Sequence, residues 1–270
     1  MTFLQAIALG IIQGVTEFLP VSSSGHLVLF QNLLGLKDPE LAFDVAVHMG
    51  TLAAVCIYFR KDIAAIALQT GKWLFYSQWR SRQPTPSEVC MAGLIFAGSI
   101  PTAIIGIGFH GIADTLFSSV LLVGFMLIVM GFWMWFTRCK QQPDLRNSVP
   151  GTGDALLIGV AQGMAIIPGI SRSGATIAAA LYLGIDRTTA ARFSFLLSIP
   201  AIAGAALLNA IDAPITGTAH LPVILAGTAA AGIMGYAALS LLVYLVKKGK
   251  LSFFAPYCWI VGGVIVFLAW

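Results

Sequence analysis

Two short stretches of an otherwise apolar chain carry side chains suited to holding an oxyanion: GIIQGVTEFLPVSSSG at 10–25 and GVAQGMAIIPGISRSG at 159–174. In the first, Glu17 stands in an apolar helix, where an ionisable group costs about 2.5 to 3.5 kcal/mol on insertion scales and is normally retained for a use. Gln13, one helical turn earlier, shares its face. Ser22, Ser23 and Ser24 follow Pro20 and precede the next apolar run, so they read as an N-cap and its first turn. Backbone N–H groups and the positive end of the helix dipole converge there, an arrangement that binds anions and phosphate above all. His26 lies within the first turn or so, in reach of a serine hydroxyl or of the leaving group of a bound anion. The second stretch repeats the device and adds Arg172 between Ser171 and Ser173, a rigid fork of donors matched to phosphate oxygens. Thr176 completes a set of six hydroxyls. With Glu17 and His26 they predict an anion site where the two stretches meet, against the alternative of a structural polar network with Glu17 snorkelling to the surface.

The elements that must position these residues are membrane helices. Of 270 residues 58% are hydrophobic and only 10% charged, with mean hydropathy +0.90, a balance no water-soluble surface of this size sustains. Apolar runs fall at 1–19, 20–35, 41–60, 89–110, 116–137, 155–168, 172–185, 188–209, 220–246 and 252–270. Several reach the length of about 20 residues that a spanning helix needs, unlike the ten-residue alternation of a barrel. The first run carries Glu17, ends in Leu-Pro and has no Lys or Arg before Lys37, so it is expected to belong to the mature fold rather than to a cleaved signal. The pairs 1–19/20–35 and 155–168/172–185 break at Pro20 and Pro168, as re-entrant hairpins would.

The two stretches align at an offset of 149, pairing Gly10 with Gly159, Gln13 with Gln162, Gly14 with Gly163, Ser22 with Ser171, Ser24 with Ser173 and Gly25 with Gly174. The expected fold is therefore an all-α polytopic membrane protein in one domain, with about six spans and two re-entrant hairpins. Halves 1–137 and 151–270 each hold one hairpin and three spans. Three is odd, so the second half is expected upside down, as in inverted-repeat proteins. Thirteen of the 15 basic residues then share the cytoplasmic side, in 60–88, 138–150, 187–192 and 247–250; Lys37 and Arg172 are the exceptions. The stretch 62–79, with Lys72 beside Gly71, is expected to be an interfacial helix rather than a span.

The remaining polar residues read blandly. His110, Asp114, Asp212 and His220 fall near outer loop ends, and Asp44 and His48 read as helix-end groups that could border the site. Cys56, Cys90, Cys139 and Cys258 are scattered without metal-ligand spacing and read as apolar fillers. Trp133, Trp135, Trp259 and Trp270 read as interfacial aromatics. The net charge of +4 is spread over short loops and gives no nucleic-acid signal.

Together, Q-G-V-T-E (13–17), P-V-S-S-S-G-H (20–26) and P-G-I-S-R-S-G-A-T (168–176) resemble the bacterial undecaprenyl-pyrophosphate phosphatase family, also known as bacitracin-resistance proteins, over the length of the chain. The resemblance implies hydrolysis of the terminal phosphate of C55-isoprenyl pyrophosphate in the bacterial inner membrane, returning the carrier to cell-wall synthesis. It further implies Ser23 as nucleophile with His26 beside it as base and later acid, Arg172 holding phosphate, and Glu17 organising a divalent cation, Mg²⁺ or Ca²⁺. Gln13 and Gln162 support the site. Gln13 stands where many members carry a second acid. The partners implied are the isoprenyl pyrophosphate and membrane lipids, with a homodimer left open; water remains an alternative nucleophile, with His26 or Glu17 as its base. The rival reading is a secondary transporter or flippase that carries the anion uncleaved.

Overall fold

The computed structural model describes residues 1–36, 41–80, 84–111, 116, 119–140, 150–212 and 221–269, in which helices are joined by turns. In chain order these helices are α1 (Phe3–Phe18), α2 (Ser23–Leu33), α3 (Leu41–Tyr58), α4 (Arg60–Phe75), the single turn α5 (Ser77–Arg80), α6 (Ser87–His110) and α7 (Val120–Trp135). The series continues with α8 (Thr152–Met164), α9 (Arg172–Tyr182), α10 (Arg187–Asp212), α11 (Leu221–Lys247) and α12 (Ala255–Ala269). Five stretches, Ser87–Phe109, Val120–Arg138, Arg187–Leu208, Leu221–Lys247 and Leu251–Ala269, are long and apolar enough to cross a membrane. α3 and α4 give a sixth apolar segment, bent by 75° between them. The chain is an all-α, multi-pass membrane protein. No residue of α4 is buried, and Asp62 in its first turn pairs with Arg192 of α10 at 2.6 Å.

Two helix pairs are too short to span and turn back on themselves. α1 opens on a capping box, in which Thr2 Oγ1 accepts from the Gln5 N–H and the Gln5 side chain accepts from the Thr2 N–H. It ends one residue before Leu19, whose extended backbone is the conformation that a following proline enforces. α8 stops at Met164, four residues short of Pro168, because successive turns from Ala165 to Gly169 have already left the helical path. Gly169 sits at φ +97°, where a side chain would be strained and a Cβ would lie 2.5 Å from the Val123 carbonyl oxygen.

Each hairpin is clasped by a span from the other part of the chain. α1 lies along α11 and α8 lies along α6. Both contacts are backbone to backbone: a Cβ on Gly10 would stand 2.2 Å from the Gly227 oxygen, and one on Gly159 would stand 2.0 Å from the Gly98 oxygen. Small residues at such crossings let membrane helices approach closely. Thr102 Oγ1 adds contacts to the Gly98 and Gly159 carbonyls at 3.1 and 2.9 Å. α7 packs on α12, and α3 packs on α10 and α11. Phe18, Met130, Ile158, Ile177, Phe193 and Leu197 fill the centre of the main apolar cluster. Cys258, also buried, points its thiol at the Pro20 carbonyl at 3.4 Å, as a small filler against the first hairpin tip. Lys37, Arg82, Asp114, Arg146, His220 and Trp270, and the side chains of His110, Cys139, Lys140 and Asp212, lie outside the described residues.

Candidate active site

The two hairpin tips meet. Ser22 Oγ, on the first, accepts from the Gly169 N–H on the second at 3.2 Å. The Ser173 hydroxyl returns the contact by donating to the Phe18 carbonyl at 2.7 Å. Because its one hydrogen is spent there, the Ser171 hydroxyl donates to Ser173 Oγ at 3.1 Å. Ser171 meanwhile caps α9 by accepting from the Gly174 N–H at 3.3 Å.

Glu17 is the hub. Its carboxylate, only 8% exposed, receives the Ser23 hydroxyl at 2.6 Å and the Gln13 amide at 2.9 Å on Oε2. Arg172 donates to Oε1. His48 Nε2 stands 3.8 Å from Oε2. A buried charge with that many partners is compensated rather than stranded. The guanidinium carries five N–H donors in a fixed fork, so those not engaged with Glu17 remain to meet an anion.

A cavity of about 680 Å³ adjoins this cluster. Glu17, Ser23, Ser24, His48, Ser171 and Arg172 supply polar lining, and Gln162 joins them with its amide donating to Thr102 Oγ1 at 3.2 Å and the Leu197 carbonyl at 3.3 Å. The apolar lining comes from the last turns of α6, through Ile107 and Phe109, and of α10, from Ala201 to Leu208. The cavity thus follows α6 and α10 away from their starts at Ser87 and Arg187, where basic residues gather, and toward their opposite ends.

The structure places the expected hydroxyls and histidines at different distances from the cavity. Of the six hydroxyls, Ser23, Ser24 and Ser171 line the cavity. Ser22 accepts and Ser173 donates in the cross-tip bonds, and Thr176 Oγ1 bonds the Arg172 carbonyl at 2.9 Å, one turn back along its own helix. His26 does not reach the Ser23 hydroxyl, because Nδ1 bonds the Ser22 carbonyl at 2.8 Å and Nε2 bonds Tyr257 Oη at 2.6 Å. His48, read from sequence as a helix-end group that could border the site, does border it. Its Nδ1 is held by the Asp44 carbonyl at 2.7 Å, which turns Nε2 toward Glu17. One turn's spacing to Asp44 was the only local signal for it.

For a cation, the donor set is oxygen-rich but small. Among the described residues no three His, Cys, Asp or Glu side chains gather closely enough to cage a metal. Gln13 Oε1, however, is buried beside Glu17 with no hydrogen-bond partner. An acid and an amide oxygen suit a hard ion that keeps waters or substrate oxygens for its other positions.

A family model described as bacitracin resistance protein BacA matches residues 6–264. An undecaprenyl-diphosphatase of Desulfosudis oleivorans is 50% identical over 269 residues, covering 98% of each chain. One from Desulforapulum autotrophicum is 48% identical, covering 97% of this chain and 96% of its own. A third, from Halothermothrix orenii, is 47% identical over 100% of this chain and 99% of its own.

Proposed function

The chain belongs to the bacitracin resistance protein BacA family, and from that premise we propose that it hydrolyses undecaprenyl diphosphate, releasing phosphate and returning the C55 monophosphate to peptidoglycan synthesis. The observation that carries this reading is the meeting of the Ser23 hydroxyl and the Arg172 guanidinium on one buried carboxylate, beside a cavity with an apolar wall. A polar end for a diphosphate and an apolar side for an isoprenyl chain are the two surfaces such a substrate needs.

In this reading Ser23 Oγ forms the new bond to the terminal phosphorus as the bond to the bridging oxygen breaks, and the serine proton passes to Glu17 Oε2, which it already faces. The lipid monophosphate leaves. Water then attacks the phosphoserine, the P–Oγ bond breaks as Glu17 returns its proton to Ser23 Oγ, and inorganic phosphate leaves carrying the protons of the water. Arg172 and the first turns of α2 and α9 hold the non-bridging oxygens, where negative charge must be met throughout. Mg²⁺ or Ca²⁺ would be held by Glu17 and Gln13 Oε1 together with substrate and water oxygens, and would supply further charge neutralisation. All three central residues come from one chain, so a second copy is not needed to complete the site. Basic residues mark the cytoplasmic ends of the spans, so the cavity faces the outer side of the inner membrane.

The test is phosphate release from undecaprenyl diphosphate by purified protein in detergent, with Mg²⁺, with Ca²⁺ and with EDTA. The parent turns over; Glu17→Ala, Ser23→Ala and Arg172→Ala, still folded, fall by about 10²-fold or more. A folded parent that binds the lipid yet releases no phosphate under any of these conditions sinks hydrolysis and favours transport.

A further inference from the structure

Ser22 is the one non-glycine with positive φ among the described residues, at +68°, a conformation that L side chains rarely adopt and that persists only where surroundings enforce it. Three contacts enforce it here. The Ser22 hydroxyl accepts from Gly169 N–H, and the Ser22 carbonyl accepts from the His26 backbone N–H at 3.4 Å and from His26 Nδ1 at 2.8 Å. The carbonyl can only accept, so Nδ1 carries the imidazole proton. Nε2 lies 2.6 Å from Tyr257 Oη of α12, with the two rings stacked at 20°; a neutral ring with its proton on Nδ1 accepts there from the tyrosine hydroxyl. Both ring nitrogens are therefore occupied, and neither His26 nor Tyr257 lines the cavity. The residue next to the enforced turn is Ser23.

We propose that Tyr257 is a positioning residue of the site and that His26 works through it. The Ser22 carbonyl selects the Nδ1–H form of His26, Tyr257 anchors the opposite ring nitrogen and so the ring's orientation, and the left-handed Ser22 turn that His26 holds aims the Ser23 hydroxyl at Glu17. His26 thus shapes the nucleophile's backbone and takes no proton from Ser23. The inference rests on the hydrolytic reading for its kinetic consequences, but the tautomer and the tyrosine bond are tested without turnover.

The deciding experiment pairs kinetics with nitrogen-15 histidine NMR on the full-length protein in detergent, using parent, Tyr257→Phe, His26→Asn, His26→Ala and the Tyr257→Phe/His26→Asn double variant, each checked for a cooperative thermal transition. Asparagine places an amide N–H where Nδ1–H stood and has nothing at Nε2. The expected outcome is that His26→Asn keeps activity within about tenfold of the parent while His26→Ala loses at least a further tenfold. Tyr257→Phe lowers kcat about tenfold with KM unchanged, and its effect disappears in the His26→Asn background. In the NMR spectrum the resonance lost in His26→Asn is that of a neutral Nδ1–H ring, and Tyr257→Phe shifts its Nε2 signal. His26→Asn as inactive as His26→Ala, or a His26 ring that is cationic or protonated at Nε2, overturns the proposal. A parent without phosphatase activity removes only the kinetic arm, and the spectrum still decides whether Tyr257 bonds Nε2 of a ring protonated at Nδ1.

Discussion

At the scale of single residues, the site is built on one carboxylate that no partner can leave without consequence. Arg172 is the sharpest case, since an ammonium offers a point charge in place of a fork. Arg172→Lys is expected to keep the fold but lower kcat/KM by about 10²-fold, measured by phosphate release. Gln13→Glu would set a second buried carboxylate against Glu17. Without a cation to separate the charges it should cost about 2 kcal/mol of stability, so its thermal transition falls in EDTA and recovers with Ca²⁺ more than the parent's does. Glu17, Ser23 and Arg172 were legible in the sequence because an ion pair or hydroxyl cluster in an apolar run has few structural reasons to exist. For His48 the sequence left it open whether it borders the site, since its approach to Glu17 depends on how α3 sits against α1 and α11, a rotation that local spacing does not encode. His26 is the opposite case. Three residues from Ser23 in sequence, it is turned to Tyr257, 231 residues away, by a backbone conformation that serine seldom takes.

At the scale of elements, the hairpins hold their place through contacts that leave no room for a methyl group. Gly10→Ala and Gly159→Ala must push α1 from α11 and α8 from α6, and each is expected to cost about 1 to 3 kcal/mol. Gly71→Ala, in exposed α4 with nothing within 4 Å of the added atom, should be neutral or gain up to about 1 kcal/mol from helix propensity. Thermal unfolding in detergent separates the two classes. The breaks themselves were readable from Pro20, Pro168 and the serine-glycine runs after them. Their fine position was not: α8 yields at Ala165 because the turns leading to Gly169 begin before the proline. The interlocking of α1 with α11 and α8 with α6 also lay beyond the sequence, since glycine spacing marks a close approach without naming the partner.

At the scale of the whole molecule, the ends of α6 and α10 that border the cavity lie opposite the ends that carry the basic residues, and this sets an expected orientation. In a cysteine-free background, Lys248→Cys should react with an impermeant thiol reagent only when the cytoplasmic side is exposed, and Gly111→Cys only from the outer side. The contact between Glu17 and Arg172 has one more consequence. At the offset of 149 that aligns the two stretches, Ser23 corresponds to Arg172 and Glu17 to Ile166, and all four line the same cavity. The same register position thus carries a hydroxyl on one tip and a guanidinium on the other, and both meet the single carboxylate of Glu17. Two identical tips would set serine against serine or arginine against arginine, so the asymmetry of the cavity depends on the two stretches differing at these positions.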